Sequence, residues 1–242
     1  MSIGGTDMEL VINRVSKQFK NHIAVDDVSM RLMPGVYGLL GANGAGKTTL
    51  MRMICGILRP DRGAVALDGV DVSEEDYRNV LGYLPQDFGY YPAFTGWDFL
   101  MYLAALKGIP KDQAKKRCRK LIGTVGLAGM EKKKIRTYSG GMLRRLGIAQ
   151  ALLNQPKILI LDEPTAGLDP KERVRFRDLI AEEGKESIVL LSTHIVSDVE
   201  HIADRILMMR EGQLIYNGTR EEIGSDLEEF YMEKFGEVEK RV

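Results

Sequence analysis

Apolar and polar residues change rhythm three times along the 242-residue chain. Residues 9–33 place Val25, Val28, Met30 and Leu32 among polar neighbours, which predicts two or three half-buried strands. VYGLL (36–40) is a short continuous apolar run that leads into a glycine-rich segment, and a helix is expected from about 47 to 57. Strands are expected at 63–67 and 80–84. Residues 95–154 then fit two or three helices and no strands. Beyond them strand and helix alternate: KILIL (157–161), a helix over about 170–183, SIVLLS (187–192), a helix over about 194–203, and RILMM (205–209). Continuous apolar strands alternating with helices imply a parallel sheet covered on both faces. The pattern therefore predicts an α/β core at 1–88 and 157–220, interrupted by a helical insert at 89–156. A tail follows at 221–242, with eight acidic and three basic residues, expected to form one or two solvated helices.

Composition narrows this little. Lys+Arg and Asp+Glu both number 34, so global charge asks for neither nucleic acid nor a membrane surface. Cys55 and Cys118 make no metal or disulfide spacing and fit a reducing compartment. MSIGGTDMEL lacks a basic and an apolar signal region, and runs such as ILIL (158–161) are too short to span a bilayer. Work at a membrane would then need another chain as the anchor.

The glycine-rich segment, GANGAGKTT (41–49), has the spacing of a phosphate-binding loop. Gly41, Gly44 and Gly46, with Asn43 and Ala45 between them, let main-chain N–H groups turn onto phosphate oxygens. The following helix aims its positive end at the same point. Lys47 is placed to reach the terminal phosphates, Thr48 to offer a hydroxyl to Mg2+, and Thr49 continues the turn. ILILDEP (158–164) ends an apolar strand on two carboxylates. At the carboxyl end of a strand, Asp162 is suited to Mg2+ and Glu163 to orienting or deprotonating a water. Gln86 follows the strand at 80–84 and suits Mg2+ or the attacking water. His194 ends the strand at 187–192 and suits a γ-phosphate.

One stretch is redundant with a phosphate loop in the same chain: RTYSGGMLRR (136–145). Ser139 is a good N-cap, and Gly140 and Gly141 leave the first-turn N–H groups uncovered, a second anion-shaped helix start. Leu143, Leu146, Ala149 and Leu153 give that helix a core face.

Together these motifs, in this order from Leu10 to Gly218, resemble the ATP-binding subunits of ABC transporters. The resemblance implies a P-loop, RecA-like α/β core with an antiparallel β subdomain and a helical insert. The Walker A loop falls at 41–49, the Q-loop at Gln86, the signature at 138–142, Walker B at 158–163, the D-loop at Ala166–Asp169 and the switch histidine at His194. It further implies ATP and Mg2+ as cofactors, Phe19 stacked on adenine with Val25 beside it, and a head-to-tail dimer with itself or a homologous ATPase subunit. In that dimer Ser139, Gly140 and Gly141 would cap the ATP held by the partner's Walker loop. The expected catalytic set is Glu163, His194, Gln86 and Lys47, and the expected location is the cytoplasmic face of a membrane, through a separate permease. Tyr138 and Met142 depart from the common Leu-Ser-Gly-Gly-Gln. Met142 stands at the helix's third position, where Gln would complete a capping box worth about 1 kcal/mol.

Seven aromatics crowd into 88–102, directly after Gln86. They suit either the core of the insert or a groove for a permease helix. This stretch and the signature look most like the ATPases of bacterial exporters. KDQAKKRCRK (111–120) reads as a solvated basic helix face. Three other readings fit less well. A soluble ABC ATPase acting on ribosomes or nucleic acid typically carries a second ATPase unit or a long coiled coil. A GTPase switch would need an Asn-Lys-x-Asp motif. A binding-only domain would lack Glu163, Gln86 or His194.

Overall fold

The computed structural model describes residues 8–224 and 226–236. The chain begins with the strands β1 (Leu10–Phe19), β2 (His22–Leu32) and β3 (Gly35–Leu40) and the helix α1 (Lys47–Ile54). It continues through β4 (Arg62–Leu67), β5 (Val70–Asp71), α2 (Glu75–Asn79) and β6 (Leu81–Leu84). The insert holds α3 (Gly96–Leu106), α4 (Lys111–Thr124) and α5 (Gly140–Ala151). After it come β7 (Ile158–Asp162), α6 (Pro170–Glu183), β8 (Ile188–Thr193), α7 (Val196–Glu200), β9 (Arg205–Arg210) and β10 (Gln213–Thr219). Two helices, α8 (Arg220–Ile223) and α9 (Leu227–Gly236), close the described chain.

Two sheets organise these elements. The first is antiparallel with strand order β2-β1-β4-β5; the second has order β10-β9-β3-β8-β7-β6. The second is parallel from β9 through β6 and gains an antiparallel edge in β10, which the apolar pattern did not signal. Strands β7 and β8 are buried along their whole length, so successive side chains feed opposite cores. Ile158, Ile160, Ile188 and Leu190 join the cluster beneath the antiparallel sheet. Leu159, Leu161, Val189 and Leu191 join the cluster that includes the helical insert. One sheet thus ties both hydrophobic clusters together.

Register fixes where the loops leave the sheet. Leu40 pairs with Thr193, Asp162 with Ser192, and Leu84 with Leu161. The glycine-rich loop, His194, Glu163 and the segment reaching Gln86 therefore all emerge from one edge, beyond the carboxyl ends of neighbouring strands.

The acidic tail differs from expectation. Its helices are not simply solvated: Ile223 and Leu227 are buried, and Phe230, Tyr231 and Phe235 pack against the core. The acidic residues occupy the outer face, and the aromatic residues between them supply an apolar face that charge counting hid. Residues 237–242 of that tail lie outside the described residues. On α4, Ala114, Cys118 and Ile122 are buried and most of the basic side chains face outward.

Leu190 lies at the centre of the sheet with no exposed surface. Leu190→Ala is expected to remove about 2–5 kcal/mol of stability, through lost transfer energy and the cavity left behind. A urea titration should show a lower midpoint at unchanged slope.

Candidate functional site

The glycine-rich loop is shaped by close main-chain packing. Gly46 is the N-cap of α1 at φ 103°, and a Cβ there would stand 2.2 Å from the Ala24 carbonyl oxygen. A Cβ on Gly41 would stand 2.5 Å from the carbonyl oxygen of Met209. Only glycine fits at both places. Lys47 opens the helix, and its Nζ donates to the carbonyls of Gly41 at 2.6 Å and Ala42 at 3.1 Å. Burial pushes the Lys47 pKa down, partly opposed by the charges of Glu163 and then Asp162. This ammonium rests on two main-chain carbonyls, which an incoming anion could replace.

The loop forms one wall of a cleft of about 420 Å³. Gly44, Ala45, Gly46, Lys47, Thr48 and Thr49 line it together with Asn43, Phe19, Gln86, Asp162 and Glu163. Phe19 is 47% exposed at this cleft, with Lys17 Nζ 5.8 Å from its ring centre. Two expected lining residues are elsewhere. Val25 has no exposed surface and belongs to the core, while Ala24 and His22 line the cleft in its place. The β1–β2 pairing slips between Val15 and Gln18, so simple alternation around Val25 fails. Gly41 is buried and contributes its carbonyl to Lys47 rather than a surface to the cleft.

The end of β7 is held by Ser192, on the neighbouring strand β8. Ser192 Oγ donates to Asp162 Oδ1 at 2.5 Å and accepts the Glu163 N–H at 3.1 Å. The second carboxylate oxygen of Asp162, Oδ2, is buried without a hydrogen-bond partner. An unsatisfied buried acceptor costs roughly 1–3 kcal/mol, more when charged. That cost makes sense where a cation is to be bound. Asp162, the Thr48 hydroxyl and the Gln86 amide are hard oxygen donors on one cleft, a set that fits Mg2+ with phosphates completing the shell. No cluster of three or more His, Cys, Asp or Glu suited to a metal occurs among the described residues.

Glu163 takes the left-handed backbone conformation, φ 51°, which is costly for a side chain of this kind. Its carboxylate oxygens each lie 3.0 Å from His194 Nδ1. The His194 side chain is 58% exposed, so the pair has one buried and one accessible member. A second cleft, of about 720 Å³, adjoins the first through Asn43, Gln86 and Glu163 and is also lined by His194 and Gly140.

Ser139 caps α5 by accepting the Met142 N–H at 3.2 Å, so the cap forms without any help from the Met142 side chain. Gly140 has open space where a Cβ would lie. Ser139 and Gly141 line neither cleft. Tyr138 is buried and donates its hydroxyl to the Met130 carbonyl at 2.8 Å. On α5, Leu146, Ala149 and Leu153 are buried and Leu143 is partly so.

Sequence reasoning missed four residues here. Arg144 is a buried cation whose guanidinium donates to main-chain carbonyls around the site. Ser192 could have been found, since a polar residue inside an apolar strand must be paired. Asp198 on α7 accepts from Thr165 Oγ1 and from Arg173 at 3.1 Å, which links the segment after His194 to the one after Glu163. Arg145 pairs with Glu172 at 2.8 Å and donates to the Gly126 carbonyl at 2.7 Å, joining the insert to α6.

The ABC transporter family profile matches residues 25–166. YxlF, an uncharacterized ABC transporter ATP-binding protein of Bacillus subtilis, is 39% identical over 88% of this chain and 72% of its own. The doxorubicin resistance ATP-binding protein DrrA of Mycobacterium tuberculosis is 38% identical over 90% of this chain and 67% of its own. The chain spans 57% of the length of another such relative, all4389 of Nostoc, at 42% identity. A solved ATP-binding subunit of an ABC transporter superposes with a TM-score of 0.85 at 28% identity, covering 93% of this chain and 98% of that one. A dimeric ATP-binding cassette solved in a post-hydrolysis state with ADP and Pi shares the fold, with a TM-score of 0.80 at 22% identity over 87% of this chain and 98% of that one. The chain belongs to the ABC transporter family and is an ATP-binding ATPase subunit of that family.

Replacing Met142 with Gln would supply the missing half of the capping box at α5. Met142→Gln is expected to raise stability by no more than about 1 kcal/mol, measured by urea unfolding. ATPase activity should change less than about threefold, because Ser139 already makes its bond to the main chain.

Proposed function

We propose that this subunit hydrolyses ATP to drive export through a separate membrane permease, working as a head-to-tail dimer. One observation carries the hydrolytic reading. Asp162, with a free carboxylate oxygen, and Glu163 line the same cleft as the phosphate loop, and His194, 3.0 Å from the Glu163 carboxylate, lines the adjoining one.

In this reading Phe19 stacks on the adenine. The N–H groups of the loop and of the first turn of α1 hold the phosphates. Lys47 exchanges the carbonyls of Gly41 and Ala42 for phosphate oxygens. Thr48, Asp162 and Gln86 would hold Mg2+, which supplies charge neutralisation at the phosphates when bound. Glu163 orients the attacking water and accepts its proton. His194 braces that carboxylate through Nδ1 and turns Nε2 to the γ-phosphate.

The signature completes the site of a second subunit. Its support is the open, capped start of α5, with neither Ser139 nor Gly141 lining the chain's own phosphate cleft. The partner is a second copy or a homologous subunit.

The permease would dock on the insert. A separate cavity of about 550 Å³ is lined by Trp97, Asp98, Arg119, Ile122, Glu131 and Lys132, among others. Arg119 lies over the Trp97 ring at 5.8 Å, and Glu131 Oε2 is buried without a partner. Of the aromatics after Gln86, Phe99 is buried and Tyr91 and Tyr102 are 48% and 40% exposed. The cluster is therefore divided between core and surface. No helix among the described residues is long and apolar enough to cross a membrane, which fits attachment at the cytoplasmic face through another chain. Kinship with ATP-binding proteins named for doxorubicin and linearmycin resistance supports export.

Glu163→Gln should halt turnover while preserving ATP binding, and should give an ATP-dependent dimer on a sizing column. A monomer at saturating ATP would contradict the composite site. In the same background Ser139→Arg should abolish the dimer and leave nucleotide affinity within about threefold.

Trp97→Glu should leave the ATPase of the isolated chain within about twofold of wild type. Sedimentation with native membrane vesicles stripped of peripheral proteins should be lost. Retained sedimentation would move the docking surface elsewhere.

A further inference from the structure

Arg144 follows the signature and is 8% exposed. Its guanidinium has five N–H donors in a rigid fork. Nε donates to Pro164 O at 3.2 Å, and Nη1 to Pro85 O and Gln86 O, each at 3.1 Å. Nη2 donates to the carbonyls of Asp162 and Glu163. Five carbonyls from two separate loops thus converge on one side chain of the insert. We propose that Arg144 is a positioning residue through which the seat of the signature helix sets the placement of Gln86 and Glu163. This proposal rests on the hydrolytic reading above and adds how the insert controls it.

The surrounding contacts favour control over mere packing. Helix α5 is keyed along β6 and the segment after it at several levels. Gln150 Nε2 donates to Tyr83 O at 2.7 Å, and the Tyr90 hydroxyl to Leu143 O at 2.5 Å. A Cβ on Gly147 would stand 2.7 Å from Leu84 Cδ1, so helix and strand are in close contact there. These bonds make the Gln86 segment travel with α5. Arg144 alone among them also reaches the end of β7.

At that end Glu163 holds a left-handed backbone, which persists only where its surroundings over-determine it. Ser192 holds the Glu163 N–H, and Arg144 holds the Glu163 carbonyl. The direction of the Glu163 carboxylate is thus fixed from the sheet on one side and from the insert on the other. A shift of α5 would release one of these two supports. By contrast, Arg144 has no bond to the phosphate loop, so nucleotide affinity should be independent of it. Its bonds are all to main-chain carbonyls, so they ask for a planar fork rather than for charge alone. A lysine, with three donors on a point charge, cannot span both loops.

The test uses the full chain with Arg144→Lys and Arg144→Gln, and Glu163→Gln as the control. Nucleotide affinity is measured by fluorescent-ATP titration, turnover by phosphate release, and folding by thermal melting. Both Arg144 variants should lose about 100-fold in kcat, the scale of a misplaced catalytic group. Nucleotide affinity should stay within about threefold, and Lys should not rescue. Wild-type kcat in either variant would overturn the proposal. So would parallel loss of affinity, turnover and folded protein in both variants, which would mark a purely structural role. If Glu163→Gln keeps wild-type turnover, the reading of the site fails instead, a result separable from either Arg144 outcome.

Discussion

Everything at the site depends on the register of four parallel strands. Pairing of Leu40 with Thr193, Asp162 with Ser192 and Leu84 with Leu161 brings four loop starts to one edge. A parallel sheet buried on both faces has little freedom to slip, because a shift of one residue would exchange its two hydrophobic faces. The alternation of Ile158 and Ile160 with Leu159 and Leu161 is the lock. Chemistry-bearing residues separated by up to 150 positions thereby become neighbours without needing side-chain contacts of their own.

The residues at that edge are held at some cost. Asp162 keeps an unpartnered oxygen, Glu163 an unfavourable backbone and Lys47 a depressed pKa from burial. The surroundings offset part of this: Ser192 holds Asp162 Oδ1 and the Glu163 N–H, and loop carbonyls hold the ammonium. Ion pairs and hydrogen bonds between units add a second level of control. Arg145–Glu172 joins insert to core, and Asp198 joins the segments following His194 and Glu163. A nucleotide bound at this edge would touch groups already poised to change partners.

The motifs legible in the sequence are those in which residue type and spacing are themselves the physical requirement. Gly46 must lack a side chain, Lys47 must carry charge beside the turn, and Asp162 must end a strand. The pattern of apolar runs likewise placed β3, β7, β8 and α6 closely. What escaped depends on pairings that leave no local trace. Arg144 bonds to main-chain carbonyls, which every residue has, at separations of 18 to 59 positions. Val25 was expected at the cleft, but strand pairing slips beside it, and Val25 belongs to the core while the neighbouring Ala24 lines the cleft. Helix α9 mixes acidic and aromatic residues, so charge counting concealed its packing face.

The contact of Gly46 with the Ala24 carbonyl has one more consequence. Ala24 and Phe19 belong to the strands that frame the proposed base pocket, and Gly46 to the loop that would grip phosphate. With no side chain between them, the distance from one to the other is set by abutting backbones rather than by adjustable rotamers. The two halves of the cleft therefore behave as the fixed jaws of a caliper. Ligands would be sorted by their overall span as well as by the groups at either end.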